Sequence, residues 1–376
     1  MSHPAPPVRI RAEVDLGAVR DNARLLTERA GGDEVVAVVK ADAYGHGAVP
    51  VTRALLDVGV GRFAVATVAE GAELREAGVT ARVLVFAAPL DDDLPAYERH
   101  DLAVTVSSEA VADAVAERGA GRGGLVAHVK VDTGMHRLGV APEAAAATVR
   151  RLQSAGVTVE ALWTHLATAD GDDAGFALEQ VRRFDAVLAD LAADAPPLVH
   201  VRNGPAVVRL PPLTSGRPAL ARLGGVLYGL ASDSAMRPAM DGLRPAMRLV
   251  APVVHLQTVA PGESVSYGRT WTAPRPTRLA TVAAGYADGV PRALSNRGRV
   301  GIGGRLWPVA GRVCMDMLLV DLGDPDGPGG AVRRGDDAVL FGRGGHAAEE
   351  AAAAAGTIAY ELTCGVSARV PRVYEG

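Results

Sequence analysis

Between about residue 35 and residue 230, short β-branched runs alternate with stretches whose apolar positions recur at helical spacing. The runs Val35–Val39, Phe63–Val68, Arg82–Phe86, Leu102–Val106, Leu125–Val131, Val157–Trp163, Leu198–Val201 and Ala219–Leu223 are nearly continuous in hydrophobicity, as strands covered on both faces are. Ala69–Ala77, Glu109–Arg118, Pro142–Ala155 and Ala174–Ala192 read as amphipathic helices between them. Eight such units predict an α/β fold, a closed parallel (β/α)8 TIM barrel. A Rossmann or flavodoxin-like sheet fits eight units less well, and its glycine fingerprint is missing after the first strand.

After Met236-Arg237-Pro238 the pattern changes to valine-rich segments broken by turn pairs such as Pro261-Gly262, Asp288-Gly289 and Gly303-Gly304. Arg248–Val259, Arg278–Ala283, Arg299–Ile302, Leu306–Val309 and Leu318–Leu322 predict a mostly β C-terminal domain, interrupted by one helix around His346–Ala355. The expected division is a barrel over residues 1–240 and a β-strand domain over 241–376. The strand-like Val8–Val14, ahead of a first helix Leu16–Ala30, is a candidate to pack with the second domain.

Composition narrows the function more than the fold. A chain of 376 residues with 48% hydrophobic positions supports a large barrel plus a second module. A net charge of −4 gives no hint of a nucleic-acid partner, and none is expected. Met1 to Val8 is proline-rich without an apolar leader core, and no run reaches membrane-spanning length, so neither a signal peptide nor a membrane partner is expected. Two cysteines, Cys314 and Cys364, make no disulfide framework, which fits a reducing cytoplasm.

Only two of the 39 basic residues are lysines, Lys40 and Lys130. Arginine supplies positive charge almost everywhere, and a primary amine survives at two places, each at the end of an apolar run. Arginine does not readily form an imine, whereas a desolvated lysine does. In barrels the active site lies at the carboxyl ends of the strands. Lys40 falls after strand one, Arg137 follows strand five, His165 strand six and Asn203-Gly204 strand seven, while strand eight runs through Arg222 into Gly224-Gly225. Glycine turns after the last two strands often hold a phosphate on backbone N–H groups. Lysine with a phosphate cradle suggests pyridoxal phosphate. Taken singly, the glycines read as turns, His165 as a core histidine and the arginines as rim ion pairs; their shared face favours a site.

Several long motifs carry a resemblance. Val39-Lys40-Ala41-Asp42-Ala43-Tyr44-Gly45-His46-Gly47 looks like the cofactor-lysine motif of the alanine racemases. Lys130-Val131-Asp132-Thr133-Gly134-Met135-His136-Arg137-Leu138-Gly139, Ser266-Tyr267-Gly268-Arg269-Thr270, Ala284-Gly285-Tyr286-Ala287-Asp288-Gly289 and Gly311-Arg312-Val313-Cys314-Met315-Asp316 resemble further signatures of that family. The ordered matches run from about residue 10 to the C-terminus.

The resemblance implies pyridoxal 5′-phosphate as cofactor, no metal, and interconversion of L- and D-alanine by two bases, feeding bacterial peptidoglycan. It makes Lys40 the Schiff-base lysine and one base, and Tyr267 the other, on the opposite face of Cα. Tyrosine needs cationic help to act near neutrality, which His165 and Arg222 would provide. Arg222 would also face the pyridine nitrogen, where a fixed cation can only donate. Arg137 would meet the cofactor's phenolic oxygen and the substrate carboxylate. Beside it, Lys130 would be carbamylated (N6-carboxylysine). Tyr44, Asn203, Gly204, Gly224, Gly225 and Tyr360 would bind cofactor, chiefly its phosphate, with Gly204 where many relatives carry serine. Tyr286 and Met315 would contact substrate, and with Tyr267 would reach the site of the other subunit in a homodimer. Two rivals share the cofactor: a decarboxylase of basic amino acids and a racemase of broader range. A carrier of pyridoxal phosphate built on the barrel alone is the non-enzymatic one.

Overall fold

The structure is a computed structural model that describes residues 10–119, 124–171, 173–213, 217–232 and 234–376. The opening residues, including Val8 and Arg9 of the first expected strand, lie outside the described residues. Strand β1 (Arg11–Asp15) runs directly into the helix Leu16–Ala30, whose first turn is capped by Asp15 accepting from the Ala18 N–H at 2.7 Å.

Eight parallel strands follow: β2 (Glu34–Val38), β3 (Arg62–Val65), β4 (Arg82–Val85), β5 (Ala103–Val106), β6 (Val126–Lys130), β7 (Thr158–Trp163), β8 (Leu198–His200) and β9 (Leu220–Leu223). From β2 to β8 each pairs with the next, and β9 returns to β2 in register Glu34↔Leu220 to Ala37↔Leu223. Between β8 and β9 the ring closes through the bridges Val199↔Ala219 and Asn203↔Arg222. Alternation decides which side chains enter the barrel. Val35 and Ala37 pack outward in the large core, whereas Val36 and Val38 join Ala64, Leu84, Ala103 and Leu220 in a separate interior cluster. By the same parity Ala127, Val129, Ala221 and Leu223 pack outward, which sends His128, Lys130 and Arg222 inward.

The expected strand Phe63–Val68 stops at Val65. Thr67 accepts from the Glu70 N–H, and the Glu70 carboxylate accepts from the Thr67 N–H, so a capping box starts the helix Val68–Glu76 there. Helices Ala48–Leu56, Leu94–Arg99 and Gly204–Arg209 complete other connections; they are short, and each carries a proline that obscures its periodicity.

The second module is built on β10 (Met247–Val259), a long strand that pairs antiparallel with Thr277–Val282 and Asp337–Phe341. The same strand takes β1 antiparallel, Arg11↔Val250 to Val14↔Met247, and β1 pairs in parallel with Arg372–Glu375. Asp337–Phe341, Arg372–Glu375 and the short hairpin Ser264–Val265/Trp271–Thr272 add strands beyond those expected. The single helix expected near residue 346 is two, Ala348–Ala355 and Ala359–Cys364, separated by the left-handed Gly356. Among the described residues no helix is long and apolar enough to cross a membrane.

Candidate active site

The backbone just past β2 is unusual. Ala41, Asp42, Ala43 and Tyr44 all hold φ between 53° and 55°, a single left-handed turn made of non-glycine residues. Each such residue costs ~1–2 kcal/mol, so other contacts must hold the turn. The Asp42 carboxylate accepts from the Ala48 N–H at 2.7 Å. Glu70 accepts from the N–H groups of Ala41 (2.7 Å), Ala66 (2.6 Å) and Thr67 (3.1 Å). On the far side Gly45, at φ 83°, leaves no room for a Cβ against the Thr363 carbonyl. The turn therefore sets Lys40 from three directions. Glu70→Ala removes the acceptor for three amides and is expected to lower stability by roughly 2–3 kcal/mol in urea unfolding.

At the carboxyl end of the barrel lies a cavity of about 460 Å³. Its lining includes Lys40, Tyr44, Lys130, Arg137, His165, Asn203, Gly204, Arg222, Gly224, Gly225 and Tyr360. Eleven residues expected from sequence thus share one cavity. Tyr360 arrives from the second module, on the helix Ala359–Cys364. The glycines make room for the phenols. A Cβ on Gly224 would collide with the Tyr44 hydroxyl, and one on Gly225 with the Tyr360 ring. The Tyr44 and Tyr360 rings meet edge to face at 5.6 Å, over two turns that open a helical segment at Gly204 and at Gly225. Asn203 caps the first of these, accepting from the Ala206 N–H at 3.1 Å. Two hydroxyls and two helical N-termini on one wall suit a phosphate.

Arg222 is buried beneath the cavity. Its Nη1 donates to the His200 carbonyl (2.6 Å) and to His200 Nδ1 (3.1 Å). Its Nη2 donates to the carbonyls of Thr164 (2.8 Å) and Val201 (3.1 Å). Every bond described for this side chain uses the two terminal nitrogens, which leaves the Nε–H for a group in the cavity. Burial pulls Arg222 down to about 9, still protonated at neutral pH. Lys40 is lowered by burial and by Arg137. Lys130 falls further, to about 8, through burial, Arg137 and Arg222, and its Nζ lies 4.8 Å from the centroid of the Trp163 ring.

His165 differs from expectation. Burial, then Arg222, Arg137, Lys130 and Lys40, hold it well below the ordinary imidazole value, so at neutral pH it is uncharged. Fixed positive charge beside the cavity comes from the arginines. Residues missed in the sequence include Phe86, Trp163 and Asp170, which line the same cavity. The first two sit at strand ends and carry no motif of their own.

Tyr267, Tyr286 and Met315 do not line this cavity. They are exposed, Tyr267 by 71%, and share one surface of the second module. Cys314 joins them: its carbonyl accepts from the Tyr286 N–H at 3.0 Å, and its Sγ is 3.7 Å from Ser266 Oγ, next to Tyr267. Ser266 itself holds φ 62° and ψ 178°, a conformation rarely taken by residues other than glycine, pinned by its hydroxyl donating to the Arg312 carbonyl at 2.7 Å. Gly285 has no space for a Cβ against the Cys314 and Met315 carbonyls. The surface is thus a shaped presentation of two phenols and a thioether rather than scattered apolar exposure.

Comparison with known proteins covers both modules. The family model for the alanine racemase N-terminal domain matches residues 14–232, and that for the alanine racemase C-terminal domain matches residues 246–374. The chain is 43% identical to an alanine racemase of Mycolicibacterium smegmatis, covering 100% of this chain and 97% of that one. It is 41% identical to one of Thermobifida fusca, over 97% and 98%. Among solved structures, the alanine racemase of D-cycloserine-producing Streptomyces lavendulae superposes with a TM-score of 0.88 at 38% identity, over 99% of this chain and 98% of that one. The biosynthetic alanine racemase of Pseudomonas aeruginosa gives 0.89 at 38% identity, over 98% and 100%. With both halves matched in order and its length covered by relatives at this identity, the chain belongs to the alanine racemase family.

Proposed function

We propose that this protein interconverts L- and D-alanine with pyridoxal 5′-phosphate, as a cytoplasmic homodimer whose product enters peptidoglycan. The observation that carries the reading is the single cavity in which Lys40, the Tyr44–Tyr360 phosphate wall and the Arg222 Nε–H converge. The family's cofactor fits these residues. Lys40 would hold it covalently, Tyr44, Gly204, Gly224, Gly225 and Tyr360 would hold its phosphate with Asn203 shaping the turn, and Arg222 would face its pyridine nitrogen. When bound, the group supplies a conjugated ring that takes up the electron pair left when the Cα proton departs.

The chain's own residues do the rest. Lys40 Nζ removes or returns the proton on one face of Cα. Tyr267, from a second copy, serves the opposite face, and Tyr286 and Met315 of that copy close the entrance around a small side chain. Their exposure on one shaped surface supports this division. Arg137 holds the substrate carboxylate, and His165, uncharged, fills the wall beside Arg222. An arginine at the pyridine nitrogen donates without protonating it, which weakens the electron sink and disfavours the decarboxylase alternative. Incubation with L-alanine and pyridoxal phosphate, followed by chiral chromatography, should end at equal amounts of both enantiomers; absence of D-alanine would overturn the reading.

Lys130 is proposed to carry a carbamate. Its buried amine is held down by the charges of Arg137 and Arg222 more than Asp132 raises it, and among the described residues no carboxylate lies within ion-pair distance of it. Held near 8, it has a neutral fraction that can attack carbon dioxide: the nitrogen–carbon bond forms, one carbonyl electron pair moves to oxygen, and the amine proton leaves to solvent. The result replaces a third cation by an anion. Protein kept in labelled bicarbonate should show a carbamate carbon by NMR, lost in Lys130→Ala. An unmodified amine together with activity indifferent to bicarbonate would refute the assignment.

A further inference from the structure

A chain of hydrogen bonds leaves the far side of Arg222 and crosses the barrel. His200 Nδ1 faces Arg222 Nη1 at 3.1 Å, His200 Nε2 faces His128 Nδ1 at 3.1 Å, and His128 Nε2 faces Glu160 Oε2 at 2.8 Å. Glu160 sits near the amino end of β7, where Arg62 Nη1 reaches it at 3.1 Å and Arg82 Nε at 3.6 Å. The seam thus links the buried guanidinium to ion pairs at the opposite mouth of the barrel.

Such a seam is expensive. Barrel interiors are ordinarily filled by branched apolar side chains, as the cluster of Val36, Val38, Ala64, Leu84, Ala103 and Leu220 fills part of this one. Two fully buried imidazoles replace apolar filling at a desolvation cost that packing alone does not recover. Both rings are also fixed in place. His200 stacks flat on Trp163, centroids 5.0 Å apart and planes 7° apart, and His128 meets His200 edge-on at 5.1 Å.

The end groups determine where the protons lie. Arginine only donates, so His200 Nδ1 must be bare. An ionised carboxylate only accepts, so His128 Nε2 must carry hydrogen. Although burial alone would push Glu160 up, its His128 hydrogen bond with Arg62 and Arg82 holds it down to about 2. One hydrogen then remains for the middle bond, and it belongs to His200 Nε2, donated to His128 Nδ1. Each ring carries one proton. Protonating either ring fully would set two donors against each other somewhere along the seam. Burial lowers both imidazoles, in keeping with neutral rings.

We infer that Glu160 and His128 are positioning residues for racemisation: from the opposite end of the barrel they fix the tautomer of His200, which holds Arg222 with its Nε–H turned to the cofactor. The role given to Arg222 rests on the proposed function; the proton arrangement does not. When Glu160 no longer accepts, His128 is free to place its proton on Nδ1, which forces the His200 proton to Nδ1 and against Arg222.

Imidazole ¹⁵N NMR tests this directly, with and without cofactor. In the native protein both rings should show a bare Nδ1 and a protonated Nε2. Glu160→Leu should populate the other tautomer and lower kcat about tenfold with KM within about a factor of two, because the lost alignment matters to the reacting state. Glu160→Gln, whose amide oxygen still accepts from His128, should restore both the tautomer and most of kcat. A merely structural role would lower stability without moving the nitrogen shifts. Native His200 protonated at Nδ1, or Glu160→Leu with unaltered tautomers, overturns the inference. The native measurement decides even if the leucine variant does not fold. A correct tautomer in a protein that fails to make D-alanine would instead discard the functional reading alone.

Discussion

Lys40→Ala is expected to abolish racemisation, by at least about 10⁴-fold, because on the proposed function one change removes both the covalent hold on the cofactor and one of two proton-transfer groups. The absorbance change on adding pyridoxal phosphate should vanish with it, and borohydride should no longer fix the cofactor to the chain. Folding should survive. The turn under Lys40 is held by Glu70, Asp42 and the close approach of Gly45 to Thr363, none of which involves the amine. Lys40→Arg separates charge from chemistry: it keeps a cation but cannot make the linkage, so it should be as inactive as the alanine variant. Substantial activity in either variant would remove Lys40 from the mechanism.

The second large effect concerns two inactive proteins that recover activity when combined. Tyr267 is exposed and outside its own cavity, so the proposed site takes this residue from another copy. Tyr267→Phe should lose racemisation while still exchanging the α-proton of one enantiomer with deuterated solvent, since Lys40 continues to serve its face. Mixed with Lys40→Ala by unfolding and refolding together, half the dimers formed at random are heterodimers. Each then has one site bearing both changes and one bearing neither, so about a quarter of native activity should return. No recovery, with heterodimers demonstrated by mass, would place both bases on one chain.

How much could be read in advance depended on the range of the signal. Barrel strands announced themselves because being covered on both sides makes each a compact apolar run, and the placement of Lys40, Arg222 and the glycines at their ends followed from the fold. Asp337–Phe341 and Arg372–Glu375 escaped notice because they are short and flanked by charge, and they become strands only when β10 and β1 lie alongside. The left-handed turn has no compositional mark either: Ala41, Asp42 and Ala43 suit an ordinary helix, and tertiary contacts override that preference. His128, Glu160 and His200 stayed invisible as a unit because their meeting depends on three neighbouring strands. Burial likewise removed the charge expected of His165.

The turn beneath Lys40 has one more implication. Four successive residues occupy the region that L-amino acids avoid and their enantiomers prefer. A D-alanine built into the exposed position 41 by chemical synthesis would relieve the backbone there, whereas an L-valine or L-isoleucine would add to its strain. The amine proposed to act on either hand of a substrate thus rises from a stretch of backbone wound with the opposite hand.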